Sequence, residues 1–342
     1  MKLNISASSA RAAALAAIVA RLFIGLTVDS PASFHNGAWV SVLLGGALSV
    51  PWLLGVDLLR QRFRACPGPA RLLLMSVVLA SSTVGAAATL ADLTRSSGYL
   101  SLDRCHPLAL LIPAGLAALW CVWKGGDAIG YGAMVWARLF GTLMLLVALL
   151  QLGRYRSQWL LPLLGSGWRD IVRGALQSTG HIMAISGILL LPDDAEAAEI
   201  GARRLLRMLV AAVCVAAALI LLRLMMTPTM TRGQETWLKR LDSLLVNGRA
   251  PLYLQLPMIA AWFGGLLHLL VCECFTAAAS FQRLSERLDG RLCAFLTVLA
   301  SVVLSTTLSP AAGFEGFEAW LAVALPACAA LALAAMREKK EA

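Results

Sequence analysis

The sequence predicts an all-α polytopic membrane protein. It has ten transmembrane helices in one integral membrane domain over residues 1–342, arranged as a five-plus-five inverted repeat with helices 1 and 6 broken. Three observations lead there. Hydrophobic residues make up 59% of the chain, only 14% are charged, and mean hydropathy is +0.76; soluble domains carry about 45–50% apolar and about 25% charged residues. Apolar runs near the ~20 residues that span a bilayer recur along the chain, separated by short basic gaps. Runs one and six, five spans apart, carry glycine and polar residues where an anchor helix would carry leucine.

The first run is Ala12 to Val28, with Arg21 inside it and Gly25 and Thr27 near its end. Phe34, His35 and Asn36 form a turn into the second run, Ala38 to Leu59, which has Pro51 and Asp57 near its exit. A basic loop with Arg60, Arg62, Arg64 and Arg71 follows, punctuated by Pro67, Gly68 and Pro69. Run three, Leu72 to Leu93, is rich in small residues from Ser81 to Ala88, which let helix backbones approach closely. Run four is Pro107 to Trp123, closed by Lys124, Gly125 and Gly126; run five is Gly132 to Leu152. Arg138 then lies near the inner end of run five, where it snorkels to the interface.

Run six, Ile171 to Leu191, is interrupted by Gln177, Ser178, Thr179, Gly180 and His181. Run seven is Leu205 to Met226. The stretch Gly233 to Asn247 sets Trp237, Leu241, Leu244 and Leu245 against Lys239, Arg240 and Asp242 at helical spacing, as an interfacial helix on the outer face does. Runs eight, nine and ten are Pro251 to Ala279, Leu292 to Leu308 and Phe317 to Met336. Placing the N-terminus inside puts 16 basic residues on the inner side and 11 on the outer, so both termini are expected to be cytoplasmic.

The net charge of +10 does not indicate a nucleic-acid partner, because the basic residues sit between apolar runs and face headgroups. The composition excludes an ordinary soluble enzyme, a disordered chain and a coiled coil. No nucleophile elbow, Walker loop, zincin helix or dinucleotide fingerprint occurs, so no enzyme, catalytic residue or cofactor is expected. Most of the eight cysteines lie inside apolar runs, where Cys is a small hydrophobe; no disulfide framework or metal site is expected. No cleavable signal peptide is expected, since Arg11 and Arg21 interrupt the first run.

The polar interruptions carry two readings. As helix-packing residues, Gly, Ser and Thr are common in membranes. As broken helices, runs one and six would present free N–H groups to a carboxylate near the midplane. Arg21 either holds a ligand carboxylate or pairs with an acid such as Asp57 or Glu273. Glu273, deep in run eight, is a functional candidate by default or a structural partner of an arginine. His181 is either packed and hydrogen-bonded or part of a site. His268 and Glu273, five apart, do not share a helix face, which argues against a metal pair. The candidate ligand site lies between helices one, three, six and eight: Arg21, Gly25, Leu26, Thr27, Ser81, Ser82, Ser178, Thr179, Gly180, His181 and Glu273.

Several segments resemble a known family. Leu160 to Trp168, followed by Ile171 to Pro192 with its closing Leu190-Leu191-Pro192, is similar to the approach and sixth helix of spore germinant receptor B subunits. Gly37 to Leu44, Lys124 to Ile129, and Arg249 with Leu252 to Trp262 are similar to other pieces of that family. Three positions depart from it. Ser186 stands where an acid is common, Tyr131 where an arginine follows the Lys-Gly turn, and Ala250-Pro251 where an acid follows the arginine. The resemblance implies a fold like the amino acid–polyamine–organocation transporters. It also implies a small-molecule germinant, often an amino acid, location in the spore inner membrane, and partnership with germinant receptor A and C subunits.

Overall fold

The computed structural model describes residues 2–28, 36–61, 68–98, 106–150, 157–161, 167–192, 201–226, 255–285, 287–307 and helical pieces of 324–334. Its helices are α1 (Ala7–Val28), α2 (Ala38–Leu48), α3 (Val50–Gln61), α4 (Gly68–Gly98), α5 (Leu108–Lys124), α6 (Gly126–Leu150), α7 (Trp168–Ser186), α8 (Ala202–Met226), α9 (Gln255–Leu284) and α10 (Gly290–Thr307). Counting α2 with α3, six are long and apolar enough to cross a membrane, and α5 is a shorter apolar helix. With α1, α7 and the 324–334 pieces, the helices follow the order of the ten apolar runs. The segment Gly233 to Asn247, the Ala250-Pro251 step and most of run ten lie outside the described residues.

The second span is one helix with a step at Ser49. Pro51 lacks an N–H, and the Ser49 Oγ donates to the Gly45 carbonyl at 2.7 Å, which eases the step. Between α5 and α6 the chain turns on Gly125 alone, whose φ of 95° favours glycine.

Three contacts define one end of the molecule. Leu3 N–H donates to the Gln282 side chain, Ser6 to Asp127, and Arg283 to the carbonyls of Leu190 and Leu191. The N-terminal segment is thus packed across the starts of α1 and α6 and the end of α9. Gly126 is needed there for lack of a side chain: a Cβ on it would come within 2.3 Å of the Ile5 Cβ.

Two helices are enclosed on all sides over their central turns. Every residue of α1 from Ala16 to Phe23, and every residue of α7 from Gln177 to Met183, is buried. Around them, α4 and α9 form the most extensive helix pair, α2 packs on α7 and α8, and α1 packs on α6, α8 and α9. Phe23 of α1 sits edge-on to Phe140 of α6 and Trp262 of α9, both at 5.6 Å. It lies about 200° around the helix from Arg21, so these rings back the side of α1 opposite the arginine.

Two expectations are corrected. First, neither helix is broken where glycine suggested it. α1 is helical through Gly25 to Val28, and α7 is helical through Gly180 to Ser186. The sixth span changes geometry about two turns after Gly180, passing into a 3-10 turn at Gly187–Leu190. Glycine costs a helix only about 1 kcal/mol, and at Gly180 the contacts of the enclosed stretch Gln177 to Met183 outweigh it. Second, Arg138 is not near the end of its helix. α6 begins at Gly126 rather than Gly132, so Arg138 is its middle residue, and it is exposed.

Candidate functional site

One face of α4 carries Ser81, Ser82, Gly85, Thr89 and Asp92 at spacings of three and four residues, and all but Gly85 and Asp92 are fully buried. This face meets α1, α7 and α9. Asp92 Oδ2 accepts a charge-assisted bond from Arg21 Nη1 of α1 at 2.9 Å. Arg21 Nε donates to His181 Nδ1 of α7 at 3.2 Å. One guanidinium therefore ties three helices together, with side-chain exposures of 7% for Arg21 and 13% for Asp92.

One turn along α4, Thr89 Oγ1 donates to Glu273 Oε2 of α9 at 2.8 Å. The other carboxylate oxygen fills the notch left by Gly85, where an added Cβ would lie 2.7 Å from Glu273 Oε1. Gly187 closes the lower side, its own notch occupied by Val78 of α4 and Thr276 of α9. Four ionisable side chains from four helices thus converge along one strip of α4.

The sequence candidates divide accordingly. Arg21, His181 and Glu273 are in this cluster, and Ser81 and Ser82 continue its α4 wall. Ser81 donates to the Val78 carbonyl of its own helix. Ser178 and Thr179 face α2: Ser178 donates to the Gly174 carbonyl, and Thr179 to the carbonyls of Ala175 and Gly45. Gly180 lies inside α7, so its backbone groups are committed to helix bonds. Gly25, Leu26 and Thr27 form the last turn of α1. What the backbone offers there is carbonyl oxygens, not the free N–H groups expected of a break.

Sequence reasoning missed Asp92 and Thr89. Asp57, offered as a partner of Arg21, instead bonds Arg60 within α3 at 3.4 Å. His268 stacks on Trp136 of α6 and lies 3.4 Å from the Cys272 Sγ. Ser186, where the resembled family has an acid, accepts a bond from Trp52 Nε1 at 2.5 Å and donates to the Met183 carbonyl. Among the described residues no group of three or more His, Cys, Asp and Glu side chains gathers in metal-binding geometry.

No protein-family model matches the chain, and no curated protein matches it by sequence. The fold does match solved structures. MhsT, solved in complex with L-phenylalanine, aligns over 97% of this chain and 89% of its own, with a TM-score of 0.68 at 14% identity. This chain has a transporter fold. Mhp1, a nucleobase-cation-symport-1 family transporter with bromovinylhydantoin bound, aligns over 97% of this chain and 78% of its own, with TM-score 0.65 and 14% identity. A Na+-coupled sialic acid symporter aligns over 97% and 79%, with TM-score 0.60 and 12% identity. At such identities the likeness is one of fold. The chain is an integral, multi-pass, all-helical membrane protein of that architecture.

Proposed function

We propose that this chain binds a small polar molecule carrying an ammonium group, most simply an amino acid, at the junction of α1, α4, α7 and α9. The observation that carries the reading is the convergence there of Arg21, Asp92, His181 and Glu273. Arg21 is bonded to Asp92 and His181, and Glu273 to Thr89 one turn along α4, so groups of both signs, suited to the carboxylate and the ammonium of an amino acid, lie along one strip.

Within this reading the chain acts as a B-type germinant receptor subunit in the spore inner membrane, termini in the cytoplasm, alongside A and C subunits. The germinant receptor-like segments support it. So does the Arg21 network, which joins the enclosed helices α1 and α7 to the α4–α9 pair and resists their relative movement. A second reading, secondary transport of the same solute, is favoured by the fold shared with known symporters.

The test is thermal stabilisation of the purified chain by a panel of amino acids. A stabilising amino acid whose effect is lost in Glu273→Gln supports the binding site; a binder obeys the mass-action relation, rising by about 2.7 kcal/mol at a hundredfold excess over Kd. Stabilisation that survives Glu273→Gln places the site elsewhere. Counterflow of the same amino acid into proteoliposomes selects the transporter. Loss of germination in a deletion strain without counterflow selects the receptor.

A further inference from the structure

Arg138 is at the midpoint of α6 and exposed. On the same face lie Tyr131, Met134, Leu145 and Leu149, all exposed, so its surroundings are those of a helix side turned to lipid. About 18 Å of helix extends to either side of it. Half of a ~30 Å hydrocarbon layer is about 15 Å, and a side chain of five bonds from Cα to guanidinium carbon does not cover that distance, even when snorkelling. Among the described residues none forms an ion pair or hydrogen bond with Arg138. One turn further, Gly141 meets nothing within 4 Å of where its Cβ would be, leaving room for a second backbone to approach beside the guanidinium.

We propose that the α6 face centred on Arg138 docks a transmembrane helix of another protein that carries an Asp or Glu at mid-membrane depth. Charge complementarity selects this occupant. A permanently charged guanidinium facing hydrocarbon requires an anion at its own depth. Among the described residues a second copy offers no exposed carboxylate at that depth: Asp57 and Glu273 are buried, and Asp92 is bonded to Arg21. Two copies meeting on this face about a twofold axis would set guanidinium against guanidinium. A lipid phosphate stays at the headgroup level. The approaching carboxylate forms a bidentate pair with Arg138, while Tyr131, Met134, Leu145 and Leu149 pack along the partner helix.

The experiment uses the full chain in phosphatidylcholine nanodiscs with a labelled synthetic Leu/Ala transmembrane helix bearing one central Glu. The control helix has Gln at that place. The expected result is association at least tenfold tighter for the Glu helix. The gain disappears in Arg138→Leu and Arg138→Gln and is retained in part by Arg138→Lys, with unchanged thermal stability of each variant confirming the fold. Equal affinity for the Glu and Gln helices overturns the proposal, as does a Glu preference that persists in both neutral variants. Arg138-dependent dimerisation of the chain alone overturns it in favour of a second copy. Loss of the Glu preference on adding phosphatidylglycerol overturns it in favour of a lipid anion.

Discussion

The Arg21 guanidinium and the Asp92 carboxylate meet at 2.9 Å between helices 71 positions apart in sequence, and the same guanidinium reaches His181. The pair is what makes α1, α4 and α7 one unit around a polar centre.

Removing one member of that pair leaves the other charge enclosed. Arg21→Leu is expected to destabilise the protein by about 3–5 kcal/mol. The double variant Arg21→Leu with Asp92→Leu is expected to regain much of that loss. Thermal unfolding in detergent of the two singles and the double measures the coupling; additive losses would show that the pair is not the unit described.

Gly85→Ala is expected to weaken ligand binding while leaving the chain folded. The new methyl takes the place of Glu273 Oε1, which is the movable tip of a side chain rather than backbone. Gly55→Ala, inside α3 where a Cβ meets nothing within 4 Å, is the matched control and is expected to leave binding unchanged while stabilising the helix by about 0.4–1 kcal/mol. Comparing ligand affinity in the two variants checks this.

Thr89→Val keeps the shape but deletes the donor to Glu273. A buried carboxylate losing one of its donors is expected to cost about 1 kcal/mol or more. The expected outcome is a lower unfolding temperature in Thr89→Val and a smaller further loss when Glu273→Gln is added. Equal losses in both backgrounds would rule the contact out as a stabilising one.

Asp127 Oδ1 accepts from both the N–H and the hydroxyl of Ser6. Asp127→Ala is expected to free the first residues of the chain while the helices stay packed. Hydrogen exchange of the amides from Asn4 to Ser9 should accelerate in the variant, with protection of α4 and α9 unchanged.

The spans were legible because the apolar runs are long and the basic gaps between them are sharp; every described α-helix overlaps a run read from sequence. Asp92 was not. Run three was closed at Leu93, which made Asp92 a boundary residue, but α4 continues to Gly98 and carries Asp92 inside. Arg138 was misplaced for the same reason in reverse, since the polar Gly126 to Tyr131 start of α6 read as loop. The polar groups of run six were found, yet their directions were not: Thr179 and His181, two residues apart, face α2 and α1 respectively, and only packing decides which. Gly180 misled because glycine marks a weak point in an isolated helix, while the enclosed stretch of α7 keeps its geometry through the contacts around it.

Consecutive glycines on α2 have a mechanical consequence. A Cβ at Gly45 would strike Ser178 of α7 at 2.6 Å, and one at Gly46 would strike Val213 of α8 at 2.7 Å. Both neighbours thus sit closer to α2 than any side chain would allow. A residue larger than glycine at position 45 would prise α7 off α2, and one at position 46 would prise α8 off it.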